Sequence, residues 1–203
     1  SDTIVQSGAL GTLQDYLDGH ADVGMVAPRV LNPDGTIQPS CRNFPTLRGA
    51  ISRALALDRL FPHCEALSGS FLPVSAHGHR REVEVASGCF CVVRREALER
   101  VGLLDEEFFM YSEDLDWCLR IKQAGYRVMY VPSVIVHHVK RAASRRSAKA
   151  HYEFQRAMWL FYQKHYAATT NWALDKLVRL GLMARGGRRL TSEIMGGGAP
   201  GAG

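Results

Sequence analysis

Residues 87–138 read SGCFCVVRREALERVGLLDEEFFMYSEDLDWCLRIKQAGYRVMYVPSVIVHH. The apolar run CFCVV predicts a short strand, and RREALERVG predicts the helix that follows it. After a second helix, the segments YRVMYVP (126–132) and SVIVHH (133–138) predict two further strands. Short strands that alternate with helices are typical of a layered α/β domain, and this is the fold class that we predict.

The second helix of this stretch begins with a cluster of acids in YSEDLDWCLR, residues 111–120. Ser112 is a favourable N-cap residue, and Glu113, Asp114 and Asp116 suit the positive end of the helix dipole. The helical pattern alone therefore favours surface acids in a well-capped first turn. Adjacent carboxylates can also raise each other's proton affinity, which suits a general base.

The residues before this stretch predict one more helix and one more strand. The sequence GALGTLQDYLDGHADVG (8–24) spaces Leu10, Leu13 and Leu17 along one face of a helix. The apolar segment GMVAPRVL (24–31) predicts the strand. These two elements extend the α/β pattern towards the N-terminus.

An irregular region separates the two patterned parts of the chain. The sequence NPDG, residues 32–35, is a turn signal. The segment Pro45–His79 contains several Pro, Gly and Ser residues and predicts a long loop, with a short helix at Leu47–Leu60. Loops of this length are usually functional or mobile.

The C-terminal part of the chain predicts two helices and a low-complexity tail. The first presents one face formed by Phe154, Ala157, Met158, Phe161, Tyr162 and His165. The second lies at about Trp172–Met183, with Leu174, Leu177, Val178 and Gly181 on one side. We divide the chain into a main domain (1–140), a basic loop with helices (141–190) and a disordered Gly-rich tail (191–203).

Composition limits the function classes. The 203 residues are 46% hydrophobic and can bury one core, and no apolar run is long enough to span a membrane. The five cysteines form no CxxC pair, which favours a reducing cytoplasm. The net charge of +5 is concentrated in KRAASRRSAK (140–149) and MARGGRRL (183–190). A phosphate-bearing substrate, nucleic acid or an anionic membrane would each suit this charge.

No nucleotide-binding glycine loop is present, because neither GxGxxG nor GxxxxGK[ST] occurs in the sequence. The basic runs also lack interleaved aromatic residues and match no nucleic-acid-binding motif, so we expect no nucleic-acid partner. Either this domain binds no nucleotide, or the nucleotide-binding half precedes Ser1.

The chain from residue 87 to 138 closely resembles the inverting family-2 glycosyltransferases of the GT-A fold, and among them the rhamnosyltransferase-like group that builds surface polysaccharides. The resemblance extends to VGMVAPRVLNPDGTIQPSCRNFPT (23–46) and HYEFQRAMWLFYQKHYA (151–167). It implies that residues 1–140 form the C-terminal part of a GT-A catalytic domain, which carries the metal site and the acceptor side. The first half of that domain is expected upstream of Ser1, so the chain is expected to be an N-terminally truncated fragment.

The resemblance also implies a metal site. Ser1-Asp2-Thr3 looks like the end of the family's Asp-x-Asp or Asn-x-Asp motif, so Asp2 is expected to bind a divalent cation, manganese or magnesium. The family places a metal-ligating histidine at the end of the last strand, and His137 is expected to fill that role. His138 stays unassigned. Both histidines can instead simply end the strand and bond to backbone groups.

Other roles follow from the same resemblance. The general base is expected at Asp114, with Glu113 as the other candidate, whereas Asp116 is expected to be a structural acid. Gly88, Phe109 and Tyr111 are expected near the acceptor and the donor sugar; a strand bulge at the glycine and a hydrophobic staple at the aromatic residues are the alternatives. Basic residues of the following loop, Arg141 and Arg145, are expected at the diphosphate or on a solvated surface.

The function implied is transfer of a sugar, with rhamnose from dTDP-rhamnose as the expected donor, from a nucleotide-diphospho-sugar to a hydroxyl of a glycan or lipid-linked acceptor. The expected location is the cytoplasm, with peripheral contact between the basic C-terminal helix and the inner face of the membrane. The alternative is a non-catalytic module that binds the acceptor or docks on the membrane, because the nucleotide-binding half is missing.

Overall fold

The computed structural model describes residues 2–46, 72–139 and 148–196, together with Gly49 and Leu60. The chain divides into two compact units. The sheet unit comprises Ser1–Leu103 and Trp117–Lys140, and the helical unit comprises Leu104–Asp116 and Arg141–Gly203. The predicted domain boundaries at residues 140 and 190 stay predictions.

The described residues contain both strands and helices. The strands are β1 (Thr3–Val5), β2 (Val23–Leu31), β3 (Cys41–Arg42), β4 (Arg81–Glu82), β5 (Val85–Ala86), β6 (Val92–Val93) and β7 (Arg127–His138). The helices are α1 (Ala9–Asp18), α2 (Arg95–Val101), α3 (Glu113–Gln123), α4 (Ala148–His165) and α5 (Trp172–Met195). The predicted α/β fold class is confirmed, and so is the helical C-terminal region.

The main sheet is built around β2 and β7, which run parallel to each other. Strand β2 is almost wholly buried, as expected for an apolar strand in the centre of a layered sheet. Antiparallel β6 pairs with the other side of β2. The free side of β7 is shared by two short antiparallel strands, β4 near its beginning and β1 at its end. Strands β3 and β5 form a separate pair.

Strand β7 is one continuous strand where the sequence predicted two, so that prediction was wrong. Val131 pairs with Pro28 of β2, but the next pair joins Arg29 to Ile135, so residues 132–134 form a bulge. Each of the two strands has a proline at the irregularity, Pro28 in β2 and Pro132 in β7. Proline within a sheet is confined to edges and bulges, because it has no N–H to donate to the ladder. The apparent break in the pattern is therefore a bulge.

Helix α1 packs on the sheet through Ala9, Leu13 and Leu17, which are all buried. Their i, i+4, i+8 spacing defines the buried stripe, and they form a core cluster with residues of β2 and β7. Leu10 was predicted to belong to this stripe but is 56% exposed, and Ala9 is the buried residue in the first turn. The helix prediction itself agrees with the structure.

A buried histidine fixes the segment that follows β2. His77 donates from Nδ1 to the Pro73 carbonyl oxygen (3.0 Å), and its Nε2 accepts hydrogen bonds from the backbone N–H groups of Ser40 (3.2 Å) and Cys41 (3.1 Å). Two N–H donors at Nε2 require an unprotonated nitrogen there. Burial lowers the pKa of His77, which keeps the ring neutral.

The sheet-unit part of α3 is anchored to the end of α2. Trp117 donates its indole N–H to the Gly102 carbonyl oxygen (3.0 Å), and Arg120 donates to the carbonyl oxygens of Val101 and Leu103. These donors satisfy carbonyl groups at a helix C-terminus, where the helix itself supplies no partner. The position of α3 in the sheet unit is thus fixed by specific hydrogen bonds.

The helical unit is built from α4 and α5. Its core consists of Tyr152, Trp159, Tyr162, Leu190 and Ile194. The predicted α4 face agrees with the buried Ala157, Phe161 and Tyr162, but Phe154 is exposed. Helix α5 extends to Met195 rather than Met183 and is broken at Gly187, whose φ is 71°. Leu177, predicted on its packed side, is exposed.

Two predicted features fall on residues that the structure does not describe. The short helix at Leu47–Leu60 lies almost entirely outside the described residues. The end of the Gly-rich tail, residues 197–203, lies outside them as well. Among the helices that the structure describes, none is long and apolar enough to cross a membrane.

Candidate active site

The end of β7 brings a carboxylate and an imidazole together. Nε2 of His138 lies 3.4 Å from Oδ2 of Asp2. The backbone holds the pair in place, because Thr3 pairs with His138 across the β1–β7 ladder and the Val139 N–H donates to the Asp2 carbonyl oxygen at 2.8 Å. Both side chains belong to the sheet unit. Residues 136 positions apart (138 − 2) therefore share one end of the sheet.

The other ring nitrogen of His138 is held by Gln38. Nδ1 of His138 lies 2.8 Å from the Gln38 side-chain oxygen, and the Gln38 amide nitrogen donates to the Asn32 side-chain oxygen at 2.7 Å. Gln38 is buried, and its N–H bonds to the carbonyl oxygen of Val30 in β2. The imidazole is thus fixed on one side by a buried amide and faces Asp2 on the other.

His137, the histidine expected to bind the metal, is the neighbour of this residue on β7. It pairs with Ile4 of β1 and Leu31 of β2. Successive side chains of a strand project to opposite faces, so His137 projects away from the face that His138 occupies. The structure brings Asp2 together with His138, the histidine that the sequence left unassigned.

The turn that contains Gly88 is tied to the same end of the sheet. The Thr3 hydroxyl donates to the Cys89 carbonyl oxygen at 3.2 Å. Gly88 lies in the exposed turn between β5 and β6. Since Thr3 follows Asp2 in the chain, the turn and the Asp2–His138 pair are neighbours. The predicted role of Gly88 stays a prediction.

The Asp2–His138 pair suits a divalent cation. A carboxylate oxygen is a usual ligand of manganese and magnesium, and a neutral imidazole nitrogen is a common ligand of transition metals. Two ligands at right angles on an octahedral ion with bonds of ~2.1 Å lie about 3 Å apart, close to the 3.4 Å found between Oδ2 and Nε2. Among the described residues no group of three His, Cys, Asp or Glu could hold a metal ion. A cation here would need further ligands.

The acidic turn lies in the helical unit and has an unusual backbone. Tyr111 and Ser112 both adopt left-handed conformations, with φ of 69° and 63°, immediately before Glu113. Such conformations cost about 1–3 kcal/mol in a non-glycine residue and are concentrated at functional sites. Ser112 directly precedes α3, and its carbonyl oxygen accepts from the N–H of Asp116 at 2.9 Å while its hydroxyl contacts the Met158 sulfur at 3.8 Å. The N-cap role of its side chain stays a prediction.

The two candidate bases are half-buried in this first turn of α3. Oδ1 of Asp114 accepts a hydrogen bond from the N–H of Leu115 at 2.9 Å. This contact keeps the carboxylate in the first turn of α3. Glu113 begins the helix. Both residues are partly accessible to solvent.

The helical pattern suggested that Asp116 is a surface acid. In the structure it is fully buried. Its Oδ1 lies 2.7 Å from Nε2 of His165 and 2.9 Å from Nζ of Lys164, and Lys164 also pairs with Asp105. Burial opposes the charge of Lys164, but hydrogen bonds to the two acids outweigh it and raise the pKa of Lys164. This network ties the acidic turn to α4, in agreement with the structural role expected of Asp116.

The remaining predicted residues are spread more widely. Phe109 is exposed, with the Lys149 ammonium 5.5 Å from its ring centre. Tyr111 packs edge-on against Phe154, with ring centres 5.7 Å apart. Both aromatic residues belong to the helical unit with Glu113 and Asp114. Arg141 and Arg145 lie outside the described residues.

Sequence reasoning missed Gln38 and the partners of Asp116. A glutamine after an NPDG turn gives no signal of its own, because Gln38 acts through a residue 100 positions away. In the sequence, Lys164 and His165 are only two polar residues at the end of a helix with an apolar face. Both contacts are tertiary, and spacing within one element cannot reveal them.

Comparison with known proteins adds independent information. The sequence profile described as "Glycosyltransferase like family 2" matches residues 1–161. The N-acetylglucosaminyl-diphospho-decaprenol L-rhamnosyltransferase of Mycobacterium tuberculosis is 32% identical over 145 residues, which cover 71% of this chain and 46% of that protein. The chain therefore spans about half the length of this relative.

Two shorter matches carry related names. Rhamnosyltransferase WbbL of Escherichia coli is 37% identical over 73 residues, or 34% of this chain and 28% of that protein. The dTDP-rhamnosyl transferase RfbF of Shigella flexneri is 36% identical over 59 residues, or 29% of this chain and 19% of that protein. The α/β architecture agrees with the GT-A fold implied by the sequence. With most of its length matched by the profile, the chain belongs to glycosyltransferase family 2.

Proposed function

We propose that this chain is part of a metal-dependent, inverting glycosyltransferase that moves a sugar from a nucleotide-diphospho-sugar to a hydroxyl group. The observation that carries the proposal is the meeting of the Asp2 carboxylate and the His138 imidazole in a chain of family 2. The names of three relatives support rhamnose as the sugar, and one of these names supports a dTDP-linked donor.

Asp2 and His138 would hold the cation, manganese or magnesium, with oxygen atoms of the donor diphosphate as further ligands. The sequence proposed His137 for this role, and the separation of 3.4 Å supports its neighbour instead. When bound, the cation neutralises charge on the departing diphosphate. Arg141 and Arg145 remain candidates for binding the diphosphate and neutralising the same negative charge.

Asp114 is proposed as the general base, with Glu113 as the alternative. The acceptor oxygen attacks the anomeric carbon while the bond from this carbon to the diphosphate oxygen breaks, and the hydroxyl proton passes to the carboxylate. One glycosidic bond forms, the nucleoside diphosphate leaves, and the configuration inverts.

The acceptor is proposed to be a glycan or a lipid-linked saccharide. The name of the Mycobacterium tuberculosis relative, which includes a diphospho-decaprenol, supports a lipid-linked acceptor. The exposed Phe109 and the half-buried Tyr111 offer apolar surface beside the proposed base, and Gly88 lies in an exposed turn whose Cys89 carbonyl oxygen is bonded to Thr3. These residues are proposed to contact the two sugars.

The experiment uses the full-length protein that contains this chain, dTDP-rhamnose, manganese and a lipid-linked acceptor. Asp114→Asn should lower kcat by about 10²–10⁴-fold, because a general base contributes this much. Asp15→Asn, an equivalent change on the exposed face of α1, should leave kcat unchanged. Retention of full transfer by Asp114→Asn would exclude this residue as the base, and the same result for Glu113→Gln would exclude the pair.

A second part of the proposal concerns location. Helix α5 exposes Trp172, Leu177 and Leu180 together with Lys176 and Arg185. A helix with apolar and basic residues on its exposed face is suited to the surface of an anionic membrane. This face supports peripheral docking at the inner face of the membrane, and it also fits the alternative of a non-catalytic docking module.

Two measurements separate these functions. Flotation with vesicles that contain anionic lipid should retain the full-length protein at low salt and release it at high salt. Leu177→Glu should abolish flotation, whereas Leu10→Glu, an exposed leucine of α1, should not. Calorimetric titration with dTDP-rhamnose and manganese then decides the class: binding favours the enzyme, and flotation without sugar-nucleotide binding favours the docking module.

A further inference from the structure

The orientation of the Gln38 side chain is determined by its neighbours. Its amide nitrogen lies 2.7 Å from the Asn32 side-chain oxygen and 3.3 Å from the His138 carbonyl oxygen, and both of these atoms are acceptors. The Asn32 amide nitrogen in turn donates to the Thr36 hydroxyl at 2.9 Å. Only the Gln38 oxygen is left to face the imidazole, so this atom is an acceptor directed at Nδ1 of His138.

An acceptor at 2.8 Å from Nδ1 requires a proton on that nitrogen. In the neutral ring the other nitrogen, Nε2, then carries a lone pair. This lone pair faces the Asp2 carboxylate, so two electron-pair donors meet at 3.4 Å. Two electron-pair donors at this distance repel each other unless a positive charge lies between them. A bound metal ion would supply that charge.

We propose that Gln38 is a positioning residue that holds His138 as the Nδ1–H tautomer and thereby presents Nε2 as a metal ligand. The inference rests on the proposed cation site at Asp2 and His138. Gln38 touches neither the cation nor the substrate in this arrangement and acts through His138 alone. Hydrogen-bond partners of this kind fix the tautomer and the ring orientation of ligating histidines.

The surroundings of Gln38 suit this role. The side chain is 4% exposed, so water does not compete for its oxygen. Its N–H is bonded to Val30 of β2 at 2.9 Å, and the NPDG turn that carries Asn32 is closed by hydrogen bonds from Thr36 to Asp34. The amide therefore cannot rotate without leaving buried polar groups unpaired, which is costly.

The first test is the tautomer, read from the ¹⁵N chemical shifts of histidine-labelled protein at about pH 8.5, where a free imidazole is neutral. His138 is assigned by the signal lost in His138→Gln. The wild-type protein should show a protonated Nδ1 and an unprotonated Nε2. A neutral His138 protonated at Nε2 overturns the proposal, whatever the variants do.

Variants of Gln38 sharpen the test. Gln38→Met has a similar shape without the acceptor and should lose the Nδ1–H signature, whereas Gln38→Glu retains an oxygen at this position and should keep it. Gln14→Met, the same change on the exposed face of α1, should have no effect. An unchanged His138 signature in folded Gln38→Met also overturns the proposal.

Manganese binding provides the second readout, measured by electron paramagnetic resonance on the full-length protein. Gln38→Met should weaken Mn²⁺ binding about 10–100-fold, as loss of such a partner usually does, and Gln38→Glu should bind more tightly than Gln38→Met. If the wild-type protein binds no Mn²⁺ while His138 shows the Nδ1–H tautomer, the proposed cation site fails. If Mn²⁺ binds equally in wild type and Gln38→Met, the positioning role fails and the cation site stands.

Discussion

The buried carboxylate of Asp116 lies 2.7 Å from Nε2 of His165. Asp116 belongs to the first turn of α3 and His165 ends α4, so the contact joins two elements of the helical unit. Lys164 adds a second bond to the same oxygen at 2.9 Å. The turn that carries Glu113 and Asp114 is therefore fastened to α4 by a charge network.

Loss of this network should destabilise the helical unit. Asp116→Asn removes the negative charge that Lys164 and His165 share and leaves only a neutral amide oxygen as their acceptor. Breaking a buried ion pair costs about 3–5 kcal/mol, and the lower end applies here because Lys164 keeps Asp105. Urea unfolding measures the change. Asp15→Asn should shift stability by less than about 0.5 kcal/mol, and a similarly small effect of Asp116→Asn would contradict the role of the network.

The stability of the sheet unit should fall as the pH falls below about 6.5, because His77 is buried and neutral. Its pKa is lowered in the folded state, so between that value and about 6.5 the unfolded chain binds one proton more. The contribution of His77 to the free energy of unfolding is complete above the pKa of histidine in the unfolded chain and is lost as the pH falls. The free energy of unfolding should change by at most about 1.4 kcal/mol per pH unit.

Urea unfolding between about pH 7.5 and 5.5 tests this expectation. Glu82 and Asp105 do not titrate in this range, because their pKa values are lowered from ordinary values near 4. His77→Gln should be less stable at all pH values, since the ring bridges two backbone N–H groups, but its pH slope should be smaller. An equal slope in both proteins would assign the effect to other groups.

The left-handed conformation of Ser112 predicts different effects for two small substitutions. Ser112→Gly relieves the backbone, whereas Ser112→Ala keeps the strain, and both lose the hydroxyl contact with Met158. The glycine variant should therefore be more stable than the alanine variant by about 1 kcal/mol. Chemical denaturation of the two proteins provides the comparison, and equal stabilities would mean that the turn is not strained.

Two glycines should respond to alanine with opposite signs. A Cβ at Gly24 would lie 2.7 Å from Cβ of Tyr126 and 3.0 Å from Ile121, so Gly24→Ala should cost about 1–3 kcal/mol through overpacking. A Cβ at Gly11, in the exposed face of α1, meets nothing within 4 Å, and Gly11→Ala should stabilise by about 0.5–1 kcal/mol. Melting curves show the sign of each change in stability. If Gly24→Ala did not change the stability, β2 and α3 would be able to move apart.

Much of the fold could be predicted because its main elements have strong local patterns. The apolar run of β2 and the buried stripe of α1 produce periods that need no tertiary information. The NPDG turn is closed as its residues predict, with Gly35 at a φ of 82°. These elements were predicted almost to their observed ends.

The choice between His137 and His138 could not be made in this way. Met129, Val131 and Val134 all belong to the cluster around α1, so the step from 131 to 134 reverses the alternation of β7. An uninterrupted strand would place His137 on the face of Met129 and Val131, and the bulge gives that face to His138. The bulge depends on pairing with β2 and leaves no periodic signal.

The surroundings of the acidic turn were hidden for a different reason. The sequence shows that Asp116 suits a helix N-terminus, and an acid there is ordinarily solvated. Its burial depends on Lys164 and His165, which are 48 (164 − 116) and 49 (165 − 116) residues further along the chain. Only tertiary packing reveals such partners.

The distance in sequence between Asp2 and His138 has a consequence for how the protein reaches its active form. The pairing of β1 with the end of β7 closes a loop of 136 residues, and the entropy cost of closure grows with loop length. Contacts of this range form late in folding, after local elements such as α1 and the turn at Gly35. During synthesis the chain cannot assemble its candidate cation site until β7 has left the ribosome, so shorter nascent chains would be inert.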